Sequence, residues 1–459
     1  MDMESLMVLL FLFLARAEAA SYGIGISAGA DREEKAGGGA VLLPLMVQEV
    51  APPSGAPANR LRFRHNVSLT VPVAVGTPRQ NATMVLDTGS ELSWLLCNES
   101  NLPPPPPPPV SFNASASLTY GAVPCWSSAC MWQGRDLPVR PFCDTPPSKA
   151  CRVSISYADA SSADGLLAAD TFILGGAGAP PVTALFGCIN SYSSSTATNN
   201  NNATDPSEAA TGLLGMNRGS LSFVTQTGTR RFAYCIASRE GPGILILGGD
   251  GGAAPVLNYT PLIEISQPLP YFDRVAYTVQ LEGIRVGSSL LPIPKSVLTP
   301  DHTGAGQTMV DSGTQFTFLL GDAYTALKGE FMRQTRPLLA PLGEPEFVFQ
   351  GAFDVCFLGT EARVAAASRL LPEVGLVLRG AEVAVAGEKL LYRVPGERRG
   401  EEAVWCLTFG SSDMAGMSAY VIGHHHQQDV WVEYDLENGR VGFAPARCDL
   451  ATQSLGVKL

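Results

Sequence analysis

Residues 85–96 read VLDTGSELSWLL, and residues 309–320 read MVDSGTQFTFLL. Laid over one another on Asp87 and Asp311, both stretches continue with Ser/Thr, Gly and Ser/Thr. Each has a hydrophobic residue at the fifth place after the aspartate and an aromatic at the seventh, Trp94 in one copy and Phe318 in the other. A second element follows each copy: Leu213-Leu214-Gly215 after the first and Val421-Ile422-Gly423 after the second. A block duplicated 224 residues apart implies two related lobes. A site formed where they meet is pseudo-symmetric, with one carboxylate from each.

The block has a mechanical logic. An apolar strand delivers the carboxylate to a turn, and Gly89 or Gly313 lets neighbouring backbone come close. The hydroxyl of Ser90 or Thr314 is placed to donate to the outer carboxylate oxygen. Two such turns facing each other put two carboxylates within hydrogen-bonding distance, where both cannot easily ionise and one proton is shared. The ionised member can take a proton from a bound water that attacks a peptide carbonyl, while the protonated member donates to the carbonyl oxygen. That chemistry needs neither a metal nor a covalent intermediate.

Around these blocks the chain reads mostly as short strands between turns. Strand-like alternation begins at Val67 with VSLTVPVAVG, and recurs in AYTVQLEGIRVG (276–287) and DVWVEYDLENGRVGFA (429–444). The last is a hairpin around Glu437-Asn438-Gly439. One helix is expected over residues 322–333, with Ala323, Leu327 and Phe331 on one face and Asp322 as its cap. Seven consecutive prolines, Pro103 to Pro109, dictate polyproline II and read as a rigid surface insertion. The Ser/Thr/Asn-rich stretch 191–207 reads as a mobile loop. The expected organisation is a signal peptide over 1–20, a leader or pro-segment over 21–65, a first lobe over 66–230, a second over 231–450 and a tail over 451–459. Residues 21–60 show no sustained periodicity and are expected outside the core.

Composition bounds the function. The chain carries 31 basic and 42 acidic side chains, a net charge of −11. This argues against nucleic-acid binding and against a polybasic membrane-surface mode. The apolar run from Leu6 to Ala15 is too short to span a bilayer and is followed by small residues suited to cleavage. Ten cysteines without a CxxC pair, and six N-x-S/T sequons at Asn66, Asn81, Asn98, Asn113, Asn202 and Asn258, agree with an oxidising, glycosylating route. No membrane span is expected.

The motifs DTGSELSWLLC, ISYADASSADGLLAADTF, GLLGMNRGSLSFV, FAYCI, VDSGTQFTFL and YVIGHHHQQDVWVEYDLENGRVGFAP resemble the pepsin-like aspartic peptidases, in particular their plant nepenthesin-like branch. The likeness runs from about Leu69 to Cys448. It implies an all-β, bilobal fold with an active cleft between the lobes. It also implies a monomeric aspartic endopeptidase that acts on extended polypeptide without cofactor or metal. It carries catalysis onto Asp87 and Asp311, and support of that dyad onto Thr88, Gly89, Ser90, Ser312, Gly313 and Thr314. A hairpin flap is implied at Ser156-Tyr157-Ala158-Asp159, with Tyr157 over the substrate and Trp94 as its partner. Members of the family usually have glycine where Ala158 stands. Asp159 is expected as a turn residue within reach of substrate. The implied disulfides are Cys97–Cys188, Cys125–Cys151, Cys130–Cys143, Cys235–Cys448 and Cys356–Cys406. The implied destinations are the extracellular space or apoplast, the endoplasmic reticulum and the vacuole. The alternative is a catalytically inactive inhibitor or binding glycoprotein. Such relatives tend to lose an element of the catalytic set, and here Asp87, Asp311 and Tyr157 are all present.

Three other features invite functional readings. His424-His425-His426 suggests a metal, but side chains of an extended strand alternate faces, so at most two of the three converge. Pepsin-like enzymes often carry Asp at the place of His424, which is expected here to tune the acidity of the dyad. Asp170 lacks the following glycine and reads as a hairpin residue beyond the flap. Arg60, Arg62 and Arg64 read either as a pro-segment clamp or as solvated charge.

Overall fold

The computed structural model describes residues 39–49, 67–98, 112–143, 149–175, 179–193, 210–238, 241–249 and 254–457. The expected signal peptide, the polyproline run, Arg60, Arg62, Arg64, Asn66, Asn202 and most of 191–207 lie outside them. Among the described residues one sheet has sixteen strands, and three smaller sheets have five, four and four. No helix among them is long and apolar enough to cross a membrane.

The sequence duplication is also a duplication of topology. The strand Gln80–Asp87 runs into the first aspartate with Met84 and Leu86 buried. Gly212–Gly215 lies parallel to it, with Gly215 opposite Asp87, and Trp94–Asn98 pairs with the other side of that strand. In the second half, Thr308–Val310 runs into Asp311, Tyr420–Ile422 lies parallel to it, and Thr317–Leu319 pairs on the far side. In both halves the apolar-apolar-Gly element therefore threads between the strand entering the aspartate turn and the strand leaving it. The glycine is required there. A Cβ on Gly215 would lie 2.4 Å from the Glu91 carbonyl oxygen, and one on Gly423 would lie 2.1 Å from that of Phe316.

The strand Val41–Glu49 lies in the sheet and the core, within the stretch 21–60 that was expected outside the core. It pairs antiparallel with Gly243–Leu247 through its first half and with Val67–Val75 through its second. Leu43 and Leu45 are buried in the main core. Pro44 interrupts the run, and residues on both faces are partly covered, so the period-2 signal is weak. This strand ties the first half to a sheet made by Arg231–Cys235, Gly243–Leu247, Val430–Asp435 and Arg440–Pro445. The expected lobe boundary at 230/231 falls at the start of that sheet. The hairpin expected around Asn438 is present, with Gly439 at φ +58° and the Asp435 carboxylate accepting from the Asn438 side chain.

Two further expectations change. The helix spans Gly321–Thr335 with Leu320 at its N-cap and no side-chain cap, so Asp322 sits inside the first turn rather than at the cap. Its buried face carries Ala323, Leu327 and Phe331 as expected, with Tyr324 added. Among the cysteines, Cys125 bonds Cys143 and Cys130 bonds Cys151, in place of Cys125–Cys151 and Cys130–Cys143. Cys151 opens a strand with its side chain buried, and the short helix Ser128–Met131 delivers the buried Cys130 to it in one apolar cluster. Cys143 lies opposite Cys151 on an outer strand and is left to Cys125, which is anchored beside it through its amide on the Lys149 carbonyl. Cys97–Cys188, Cys235–Cys448 and Cys356–Cys406 are bonded in the implied pairing. Of the described sequons, Asn81 and Asn258 are exposed, and Asn98 and Asn113 are half-buried.

If Val41–Glu49 belongs to the core, Leu45→Ala leaves a cavity at a fully buried position. The expected loss is about 2–5 kcal/mol in urea unfolding. An unchanged midpoint would return the segment to a dispensable leader.

Candidate active site

The two aspartate turns are bolted together by reciprocal hydrogen bonds. The Thr88 amide donates to Ser312 Oγ at 3.0 Å, and the Ser312 amide donates to Thr88 Oγ1 at 2.9 Å. Each hydroxyl then donates onward across the junction, Ser312 to the Leu86 carbonyl at 2.9 Å and Thr88 to the Val310 carbonyl at 3.4 Å. All four groups are buried, where an unmade bond would cost more than a made one contributes.

Within each turn the carboxylate is held the same way. Asp87 Oδ1 accepts from the Gly89 amide at 2.8 Å, and its Oδ2 from Ser90 Oγ at 2.5 Å. Asp311 Oδ1 accepts from the Gly313 amide at 2.8 Å, and its Oδ2 from Thr314 Oγ1 at 2.6 Å. The carboxylates face each other across these glycines. A Cβ on Gly89 would lie 2.9 Å from Asp311 Oδ1, and one on Gly313 would lie 2.2 Å from Asp87 Oδ1. Burial, then the charge of Asp311, push the Asp87 carboxyl up to about 7, against the pull of the Ser90 hydroxyl and the Gly89 and Ser90 amides. One carboxylate of a close pair thus holds a proton up to about neutral pH.

The backbone behind each carboxylate is braced in parallel fashion. The Met216 amide donates to the Asp87 carbonyl at 2.8 Å, and the Asp311 amide to the Ile422 carbonyl at 3.1 Å. Ser93 and Thr317, six residues after each aspartate, accept from the Gly215 and Gly423 amides at 3.0 and 3.2 Å. Their hydroxyls were legible in the superposed repeats but carried no evident chemistry there. Gln427 had no such signal. Its side-chain amide donates to the carbonyls of Asp311 at 3.1 Å and Ile422 at 2.7 Å, while Tyr234 donates to its Oε1.

The hairpin of Cys151–Ser156 and Ser162–Ile173 carries Tyr157 at its turn, with Ala160 at φ +64°. Asp159 stays in that turn, accepting from the Ser161 amide at 2.9 Å and hydroxyl at 2.6 Å. Trp94 Nε1 donates to the Tyr157 hydroxyl at 2.6 Å, and the Trp94 ring packs 5.7 Å from that of Tyr192, an aromatic not foreseen from the sequence. Burial, then the nearby Asp87, push the Tyr157 phenol well above its usual range, which keeps it a neutral donor. Asp170 lies outside this group: fully buried on the hairpin, it accepts from Thr119 Oγ1 at 2.6 Å and from the Thr171 amide at 2.7 Å.

The three histidines form a short 3-10 turn, His424–Gln427, rather than a strand. Their rings go to separate neighbours. His424 Nε2 lies 3.3 Å from the Val67 carbonyl, His425 Nε2 2.9 Å from the Lys389 carbonyl, and His426 sits between Thr317 and Thr408 at 2.7 Å from each hydroxyl. The described residues contain no group of three or more His, Cys, Asp or Glu side chains fit to hold a metal ion.

Comparison with known proteins shows the family. Family models described as xylanase inhibitor N-terminal and C-terminal match residues 70–249 and 276–445. The aspartic proteinase PCS1 of Arabidopsis thaliana is 51% identical over 91% of this chain and 90% of its own length. The aspartic proteinase nepenthesin-2 of Nepenthes gracilis is 30% identical over 82% of this chain and 77% of its own. The solved structure titled "Crystal structure of edgp" superposes with a TM-score of 0.60 at 20% identity, over 89% of this chain and 95% of that one, which speaks to the fold. The chain belongs to the plant pepsin-like aspartic proteinase family.

The half-buried His425 and the buried His426 give a test of this packing. Burial holds His425 down to about 4 and His426 well below the usual imidazole range. The unfolded chain therefore binds more protons below about pH 6.5, and stability is lost as pH falls from there towards 4. Thermal unfolding should show a flatter acid limb for His425→Gln than for the wild type; equal slopes would contradict the assignment.

Proposed function

We propose that the protein is an aspartic endopeptidase that hydrolyses extended polypeptides with apolar residues beside the scissile bond. The observation that carries the reading is the pair of carboxylates facing each other across Gly89 and Gly313, with Asp87 pushed up to about 7. A pair in that state carries one proton between its members. A water held between them loses a proton to the ionised carboxylate and attacks the peptide carbonyl. The protonated carboxyl donates to the carbonyl oxygen; the tetrahedral intermediate then collapses as the amine leaves with the proton taken from water and one hydroxyl of the intermediate returns its proton to the other carboxylate. The Ser90 and Thr314 hydroxyls and the Gly89 and Gly313 amides hold the carboxylates in place, so little reorganisation is needed during the reaction.

Tyr157, oriented by Trp94, is the flap residue that covers the substrate in this reading. Five disulfides suit an oxidising compartment of the secretory pathway. The name of the matching family models points to inhibitor relatives, but this chain keeps both aspartates, both donor hydroxyls and the flap pair.

Peptide cleavage across pH 3–8 tests the proposal. Asp87→Asn should lower kcat/KM by about three orders of magnitude or more while the protein stays folded. Undiminished cleavage by that variant would overturn the mechanism. A folded wild type that cleaves nothing but binds a glycoside hydrolase would favour the inhibitor reading.

A further inference from the structure

Glu91 follows directly on the Asp87-Thr88-Gly89-Ser90 turn and takes no part in the chemistry above. In the second copy its place is filled by Gln315, the neutral isostere of a protonated glutamate. Both side chains are buried, Glu91 at 5% exposure and Gln315 at 1%. A carboxyl and an amide at equivalent buried places point to a site that requires that shape and rejects charge.

The surroundings of Glu91 agree. Its Oε1 accepts from the Leu221 amide at 2.8 Å, while its Oε2 is buried without a hydrogen-bond partner among the described residues. An ionised carboxylate so placed would leave charge on an unsolvated oxygen. The backbone of Gly219 is pressed against the carboxyl, because a Cβ there would lie 2.2 Å from Glu91 Cδ. The charged groups around it offer no compensation. Asp136, on the turn Gln133–Asp136, and Asp273 both add negative charge. The cations around those two aspartates are engaged with other groups, Arg274 and Arg135 with Asp136 at 3.2 and 3.8 Å and Arg218 with Glu264 at 2.9 Å. Burial, with Asp136 and Asp273 adding to it against the Leu221 amide, pushes Glu91 up to about 7.

What Glu91 holds matters to the dyad. The segment 216–221 that it grips through the Leu221 amide also donates from Met216 to the Asp87 carbonyl at 2.8 Å and from Asn217 to the Ser90 carbonyl at 3.1 Å. The same segment meets the second half, where Tyr277 donates to the Met216 carbonyl at 2.6 Å and Arg218 donates through its amide to the Val275 carbonyl at 2.9 Å.

We propose that Glu91 is a positioning residue for the first-lobe carboxylate. It acts as a neutral acid in the place that Gln315 fills with an amide, and loss of its proton puts charge on the unsolvated Oε2 against the Gly219 backbone, which displaces the 216–221 segment and disarms the dyad at alkaline pH. The kinetic side of this proposal rests on the peptidase reading; the structural side does not.

The test compares the wild-type chain with Glu91→Gln between pH 4.5 and 9. A neutral acid in the fold means that the folded state binds more protons than the unfolded one between about pH 4.5 and 7, so wild-type stability falls as pH rises through that window. Glu91→Gln removes this dependence. Its Tm should fall by about 3 °C less than that of the wild type over the same window. Glu91 and the dyad both titrate near pH 7, so the alkaline limb of kcat should fall with a slope near two in the wild type and near one in Glu91→Gln, with KM unchanged. At pH 6 the infrared difference spectrum, wild type minus Glu91→Gln, should contain a protonated-carboxyl band. Identical Tm slopes, or no such band, would overturn the proposal, as would a Glu91→Gln chain that fails to fold, since an isosteric amide is what the site is argued to accept. If the wild type cleaves no peptide, the peptidase reading fails and the Tm and infrared results still decide the role of Glu91.

Discussion

The reciprocal bonds between Thr88 and Ser312 are the constraint on which the rest of this structure depends. They join two turns 224 residues apart through two amide–hydroxyl bonds, and each hydroxyl continues into a carbonyl of the opposite half. A buried hydrogen bond of this kind contributes about 0.5–1.5 kcal/mol net, so four of them offset only part of the cost of forcing two carboxylates together. The remainder is relieved chemically, by the proton the pair retains. In the peptidase reading, the pair that is costly to hold together is also the reactive one, and the surrounding sheet holds it in register.

That arrangement sets opposite pH dependences within one fold. Asp87 and Glu91 are both raised by burial, so each contributes stability that declines as pH climbs towards 7. His425 and His426 are both lowered by burial, so each contributes stability that declines as pH drops below 6.5. The two groups sit close to the catalytic backbone. Gln427, at the end of the histidine turn, holds the Asp311 carbonyl, and the segment gripped by Glu91 holds the Asp87 carbonyl.

The aspartate turns were legible because they are local and repeated. Four residues determine the turn, the hydroxyl and the glycine, and the second copy shows which of them recur. The apolar-glycine strands could be found the same way, since only glycine fits against the carbonyls of Glu91 and Phe316. The strand Val41–Glu49 was missed because it is covered on both sides and broken by Pro44, so the alternation that announces a strand is faint. The disulfides of the insertion were misassigned because Cys143 and Cys151 are cross-strand neighbours; which of them turns inward to Cys130 is a matter of tertiary packing. The histidine turn does not announce itself in the sequence, because its backbone amides are held by the Thr314 and Gln315 carbonyls, both distant along the chain.

The central claim is that Asp87 and Asp311 act as one unit around a shared proton. The most direct measurement is kcat/KM for Asp87→Asn, Asp311→Asn and the double variant on a single peptide substrate. Residues that act as a unit are grossly non-additive, so either single change should remove nearly as much activity as both together. Losses that simply add on a logarithmic scale would show two independent carboxylates and contradict the account.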